Sequence, residues 1–135
     1  MAALTADRNT PRRDGTELNL GLAASTKIYG GSIVCRNASG YAVPGSVSAT
    51  LKALGVAQQQ VDNSAGSAGA KKVQIRKGTF RFGNSASGDL IAIADIGNDC
   101  YIVDDQTVAK TNGSSTRSVA GKIHDVDADG VWVTF

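Results

Sequence analysis

Large aromatic side chains are scarce in this 135-residue chain, which has one Trp, three Phe and three Tyr. A core without them must be assembled from Ala, Val, Ile and Leu, which suits a thin sandwich or narrow barrel better than a deep enzyme cleft. Proline is rarer still, two residues against 16 glycines. With Ser, Thr, Asn and Asp spread along the chain, this is the turn chemistry of many short strands, and it argues against long helices. A surplus of one charge is also missing: 14 basic and 12 acidic residues leave a net charge of +2. Phosphate binding draws on clustered cations, so specific nucleic-acid binding is not expected. No apolar run approaches the roughly 18 residues that would span a bilayer, and Met1-Ala2-Ala3-Leu4 leads into charged residues without a secretory core. The expectation is a soluble protein made in a cytoplasm, with no membrane partner.

Reactive side chains are few. Cys35 and Cys100 each sit inside an apolar, strand-like run, which reads as two reduced core residues, with a disulfide left open. The single histidine, His124, lies in Lys122-Ile123-His124-Asp125 with no nucleophile signature around it, and reads as an ordinary strand residue. Asp104-Asp105 are adjacent and point to opposite faces if extended, so they read as a solvated turn, not an acid–base pair. Gly66-Ser67-Ala68-Gly69-Ala70-Lys71-Lys72 lacks the Gly-Lys-Ser/Thr triplet of a phosphate loop. Asp125-Val126-Asp127-Ala128-Asp129-Gly130 matches the opening of a calcium loop, but the acidic ligand needed six residues after the glycine would fall beyond Phe135. An Asp-Gly hairpin turn is the expectation there. No enzyme activity, cofactor or metal is predicted.

Period-two patterning is what the chain does have. Leu18, Leu20 and Leu22 alternate with Asn19 and Gly21, predicting a first strand from Glu17. Lys27 to Cys35, the turn Asn37-Ala38-Ser39-Gly40 and Tyr41-Ala42-Val43 read as a hairpin halted by Pro44. Within Ala49 to Gln60, Gly55 and Val56-Ala57-Gln58 favour a strand over a helix. Asp62 to Ala70 is a small-residue stretch with nothing to bury, expected to be a mobile surface loop. Lys71 to Phe82 reads as one long strand with a bulge at Lys77-Gly78. Leu90 to Ile96 and Cys100 to Val103 read as strands joined by Gly97-Asn98-Asp99, and Val119 to Val126 and Val131 to Phe135 as a final hairpin. The fold class is therefore all-β, a compact antiparallel β-sandwich or β-barrel spanning 17–135 as a single domain.

The segment 1–16 has neither period and reads as an extended N-terminal arm outside that domain. Its Asp7, Arg8, Asn9, Pro11, Arg12 and Arg13 are the candidate binding residues. Arg8, Arg12 and Arg13 form the compact cationic cluster of the chain, and guanidinium groups on an arm can reach an acidic surface.

Three stretches of wording carry a resemblance. Phe80-Arg81-Phe82-Gly83-Asn84-Ser85, Cys100 to Ala109 and Gly130-Val131-Trp132-Val133 occur in that order, with Ala6 to Pro11 and Gly55-Val56-Ala57 as looser matches. Together they resemble the small structural proteins encoded beside the major capsid protein in tailed phages, the head decoration or cement proteins. The resemblance implies a homo-oligomer, a trimer in preference to a dimer, bound to the major capsid protein on the outer surface of the virion after synthesis in the bacterial host cytoplasm. It supplies no catalytic residue. The competing reading is a virion-surface module that binds host glycans through loops such as Asp62 to Ala70 or Thr111 to Arg117.

Overall fold

The computed structural model describes residues 2–135 and is all-β. Three antiparallel sheets pack together as a sandwich. The first sheet runs, in spatial order, β1 (Glu17–Gly21), β7 (Lys72–Arg76), β5 (Lys52–Ala57), β3 (Ile33–Arg36) and β4 (Ala42–Pro44). The second runs β10 (Val108–Ala109), β9 (Asp99–Ile102), β11 (Val119–Asp127), β12 (Gly130–Thr134) and β8 (Thr79–Phe82). A short pair, β2 (Thr26–Ile28) with β6 (Val61–Asn63), forms the third.

Side-chain alternation on β3 and β5 explains how these layers cohere. Ile33, Cys35 and Val56 join a core with Phe82, Cys100, Ile102, Val108, Ile123, Val131 and Val133 of the second sheet. Their neighbours Val34 and Ala57 join a second core with Leu22, Ile28, Ala42, Val73 and Ile75. The first sheet is thus buried on both faces at β3 and the end of β5, so β3 reads as the unbroken run Ile-Val-Cys instead of alternating with polar residues. Small aliphatics suffice because each core is only one side-chain layer deep on either side.

The edges of the two large sheets are nearly closed. Leu22, directly after β1, bridges Ala42 of β4, so the first sheet curls until its outermost strands meet. Gly83, directly after β8, bridges Thr107 just before β10, and the second sheet does the same. Closing the edges in this way protects unpaired backbone groups from edge-to-edge aggregation.

Several predicted elements are confirmed and several are revised. The first strand, the strand over β5, the Asn37–Gly40 turn between β3 and β4, and the β11–β12 hairpin all occur as read. The run Lys27 to Cys35 is divided, however: β2 and β3 belong to different sheets, and Tyr29 to Ser32 turn between them, with Gly31 at φ +84°. The bulge at Lys77-Gly78 is a change of sheet, since β7 pairs with β1 and β5 whereas β8 pairs with β12. Leu90 to Ile96 forms no strand; two 3-10 turns, Ser87–Asp89 and Ile93–Asp95, stand in its place, and Gly97-Asn98 leads into β9 from them.

The Asp62 to Ala70 stretch also departs from its reading. Asn63 is 1% exposed and its amide donates to the carbonyls of Ala23 (3.1 Å) and Ser67 (2.9 Å). Ser25 N–H donates to Gly66 O and Gly69 N–H to Leu22 O, so the loop is stitched across the end of the first sheet. What it buries is a polar side chain, a possibility that low apolar content does not advertise.

Both cysteines are free thiols in the core, as the sequence suggested, and desolvation pushes each pKa up to about 12. Neither should react with a thiol reagent until the protein is denatured. Labelling of either in the native state, followed by mass spectrometry, would contradict this packing.

Candidate functional site

The candidate residues Asp7, Arg8, Asn9, Pro11, Arg12 and Arg13 all lie in the exposed segment before β1. Residues 2–16 contain no helix or strand. Among the described residues, nothing from 2 to 13 hydrogen-bonds or ion-pairs with the rest of the chain. Order begins at the junction: the Asp14 carboxylate accepts the Thr16 N–H at 3.3 Å, and Lys77 N–H donates to Thr16 O at 2.8 Å. From there β1 is held along its length by β7, reinforced by Gln74 Nε2 donating to Glu17 Oε2 at 3.0 Å.

The three guanidinium groups of Arg8, Arg12 and Arg13 therefore have no carboxylate partner among the described residues. The structure does not gather the six residues into a pocket; they lie along one exposed segment.

Elsewhere the acidic groups are occupied by local structure. Asp127 Oδ1 accepts the N–H groups of Asp129 (2.8 Å) and Gly130 (3.1 Å), while its Oδ2 accepts Trp132 Nε1–H at 2.8 Å. The calcium-like wording is thus a hairpin turn whose first carboxylate caps its own backbone. Trp132, ahead of the Asp129 N–H, holds the Asp127 pKa below the usual aspartate value. A pKa depressed by folding stabilises the fold above the unfolded value, and that contribution is lost as pH falls through the folded one. Thermal melts from pH 7 down to pH 3 should show Asp127→Asn with a shallower acid decline than the wild type; identical slopes would contradict the role of this carboxylate.

Asp104 Oδ1 accepts the Gln106 N–H at 2.9 Å in a turn, and His124 is exposed on β11. Among the described residues no group of three or more His, Cys, Asp or Glu is placed to hold a metal ion. Among the described residues no helix is long and apolar enough to cross a membrane.

A surface cleft of about 400 Å³ is lined by Asp62, Asn63, Ser64, Gly66 and Lys71. Lys71 Nζ donates to Asp62 O at 2.6 Å, and hydrogen bonding from Ser64 holds the Asp62 carboxyl below the usual aspartate value. Asn63 Oδ1 is buried without a hydrogen bond, packed against Gly66.

Two surface features escaped sequence reasoning. Tyr29, read as part of a strand, stands 55% exposed at the turn between β2 and β3 with Lys27 Nζ 4.9 Å from its ring centre. Leu90, Ile93 and Ile96, read as part of a strand, are exposed by 50%, 71% and 43%. Their spacing gave no signal, since Leu90 closes one 3-10 turn and Ile93 opens the next with Ala92 extended between them. No protein-family model, curated protein or solved structure matches this chain.

Proposed function

We propose that the chain is a structural virion protein, a decoration or cement protein that binds the major capsid protein on the outer surface of a phage head and stabilises the expanded shell. The observation that carries the reading is that, among the described residues, those from 2 to 13 spend none of their hydrogen-bonding groups or cations on the rest of the chain. Fifteen residues reach up to about 50 Å when extended, several times the roughly 14 Å radius of gyration of a domain this size. Such a tether crosses onto a neighbouring capsid subunit, with Arg8, Arg12 and Arg13 on acidic groups and Asp7, Asn9 and Pro11 fixing its path. Tethers from one homo-oligomer, a trimer in preference to a dimer, then act together through effective concentration.

The β domain supplies rigidity in place of chemistry in this reading, with no cofactor, metal or catalytic residue assigned. Purified protein mixed with undecorated, expanded heads should pellet with them saturably. Protein that stays in the supernatant at every ratio would contradict the proposal.

Tyr29 favours a second reading, a glycan-binding virion component, because an exposed ring at a loop tip is a stacking platform for sugars. Glycan-array binding that is lost in Tyr29→Ala, together with no pelleting on heads, would support that reading over the first.

A further inference from the structure

The cleft beside β6 is held open by two features together. Ala65, Gly66 and Ala70 on its wall have too little side chain to fill it, and the backbone that carries them is pinned. Asn63 Nδ2 donates to Ala23 O and Ser67 O, and Gly66 N–H donates to Asn63 O at 3.0 Å. Leu22 N–H holds Lys71 O at 2.9 Å, and Ser25 N–H holds Gly66 O at 3.2 Å. A preformed space of about 400 Å³ is of the size that small-molecule sites occupy.

The groups on the wall restrict what it can hold. One Asp62 carboxylate oxygen accepts the Ser64 N–H at 3.0 Å, and Lys71 Nζ gives one of its three N–H groups to Asp62 O. Asn63 Oδ1 has no donor, and a Cβ on Gly66 would fall on top of it. A buried acceptor without a partner in the wall of a cleft is met most simply by a donor entering that cleft. An apolar ligand finds no large apolar side chain on this wall. A divalent cation meets the Lys71 ammonium, with Lys27 opposite Asp62 on β2, and a bare phosphate meets the Asp62 carboxylate. A ligand rich in hydroxyl groups, each able to donate and accept, suits all of these groups at once.

An aromatic ring stands close to the same groups. Lys27 and Asp62 are directly opposed in the β2–β6 pairing, so their side chains share a face. Lys27 Nζ in turn lies 4.9 Å from the centre of the exposed Tyr29 ring. Lys27 therefore links the polar cleft to an amphipathic ring.

We propose that this cleft binds a saccharide, Asp62 accepting and Ser64 and Lys71 donating hydrogen bonds to its hydroxyl groups, with Tyr29 packing against an adjoining sugar unit. Such a site rests on the glycan reading that Tyr29 favours, supplies the hydrogen-bonding half of it, and is independent of capsid binding.

The test is an NMR titration of the isotope-labelled full chain with millimolar glucose, galactose, N-acetylglucosamine and glucuronic acid, alongside binding to an array of bacterial surface saccharides. At least one sugar should shift the amide signals of Asp62 to Lys71 and of Tyr29 saturably. Array binding should fall by about tenfold or more in Asp62→Asn and in Lys71→Gln, the loss expected for a hydrogen bond to a charged group. Both positions are exposed, and asparagine keeps an oxygen for the Ser64 N–H, so the melting temperature should not change. Asp104→Asn, the same substitution at a turn carboxylate that holds the Gln106 N–H, should bind as the wild type does. Binding that is lost in Tyr29→Ala but unchanged in Asp62→Asn and Lys71→Gln overturns the cleft and leaves the glycan reading standing. A wild type that shows no shift with any of the four sugars and no array binding overturns both.

Discussion

Replacing Gly55 by alanine should cost about 3 kcal/mol or more, a large part of the total stability of a domain this size. Gly55 is at φ +152°, a backbone conformation L side chains rarely adopt. It also marks a bulge: Val34 lies opposite Gly55 while Cys35 lies opposite Ala53, so one extra residue of β5 is accommodated there. A Cβ at this site would overlap the carbonyl oxygen and carbon of Arg76 on β7, which are backbone atoms with no room to retreat. Because β5 is the central strand of the sheet that both cores share, the clash should loosen the two cores together. Gly15→Ala and Gly88→Ala, where nothing lies within 4 Å of the added methyl, should melt like the wild type. Urea denaturation of the three variants checks this, and a Gly55→Ala protein within about 0.5 kcal/mol of wild type would show the strand to be more pliant than described.

Deleting Ala2 to Asp14 should leave the melting transition in place and abolish capsid binding. The first half of that expectation follows from geometry. Every residue removed is exposed, and the contacts that seat β1, Lys77 N–H on Thr16 O and the pairing of Glu17 to Gly21 with Lys72 to Arg76, begin after the deletion. The second half follows from the proposal, because the unpaired cations Arg8, Arg12 and Arg13 go with the segment. A truncated protein that pellets with expanded heads as well as the full chain would move the binding surface onto the β domain. Triple substitution of those arginines by alanine should give a partial loss that is largest at low salt and narrows as salt rises, since exposed ion pairs are screened at physiological ionic strength.

Alternation of apolar and polar residues made much of this fold legible, but it reports which side of a strand is covered and not which sheet the strand joins. Leu18 and Leu20 located β1, and Gly55 with Val56-Ala57 marked β5 as extended. Lys71 to Phe82 alternates apart from one shift of phase near Gly78, so the passage from one sheet to another at Lys77-Gly78 looked like a bulge. Lys27 to Cys35 concealed a similar switch at Gly30-Gly31. Leu90 to Ile96 misled for a different reason: a run of aliphatic residues was taken for a strand, whereas it carries a 3-10 turn in which only Ile91 and Asp95 are buried. Asn63 misled in the opposite sense, a polar residue in a small-residue stretch that is nearly fully buried. For the N-terminal segment, lack of periodicity agreed with the absence of helix or strand over residues 2–16; a role for Asp7, Arg8, Asn9, Pro11, Arg12 and Arg13 is part of the proposal, because no pattern within a chain records what its exposed side chains bind.

The measurement that tests the central claim most directly is quantitative co-sedimentation of the purified protein with undecorated, expanded heads and, in parallel, with unexpanded proheads. A docking surface present only after expansion predicts saturable binding to expanded heads with a fixed number of copies per shell, and none to proheads. By linkage the bound shells should also resist heat better than bare ones. Equal binding to both shells would contradict selective stabilisation of the expanded state, and no binding to either would contradict the decoration role itself.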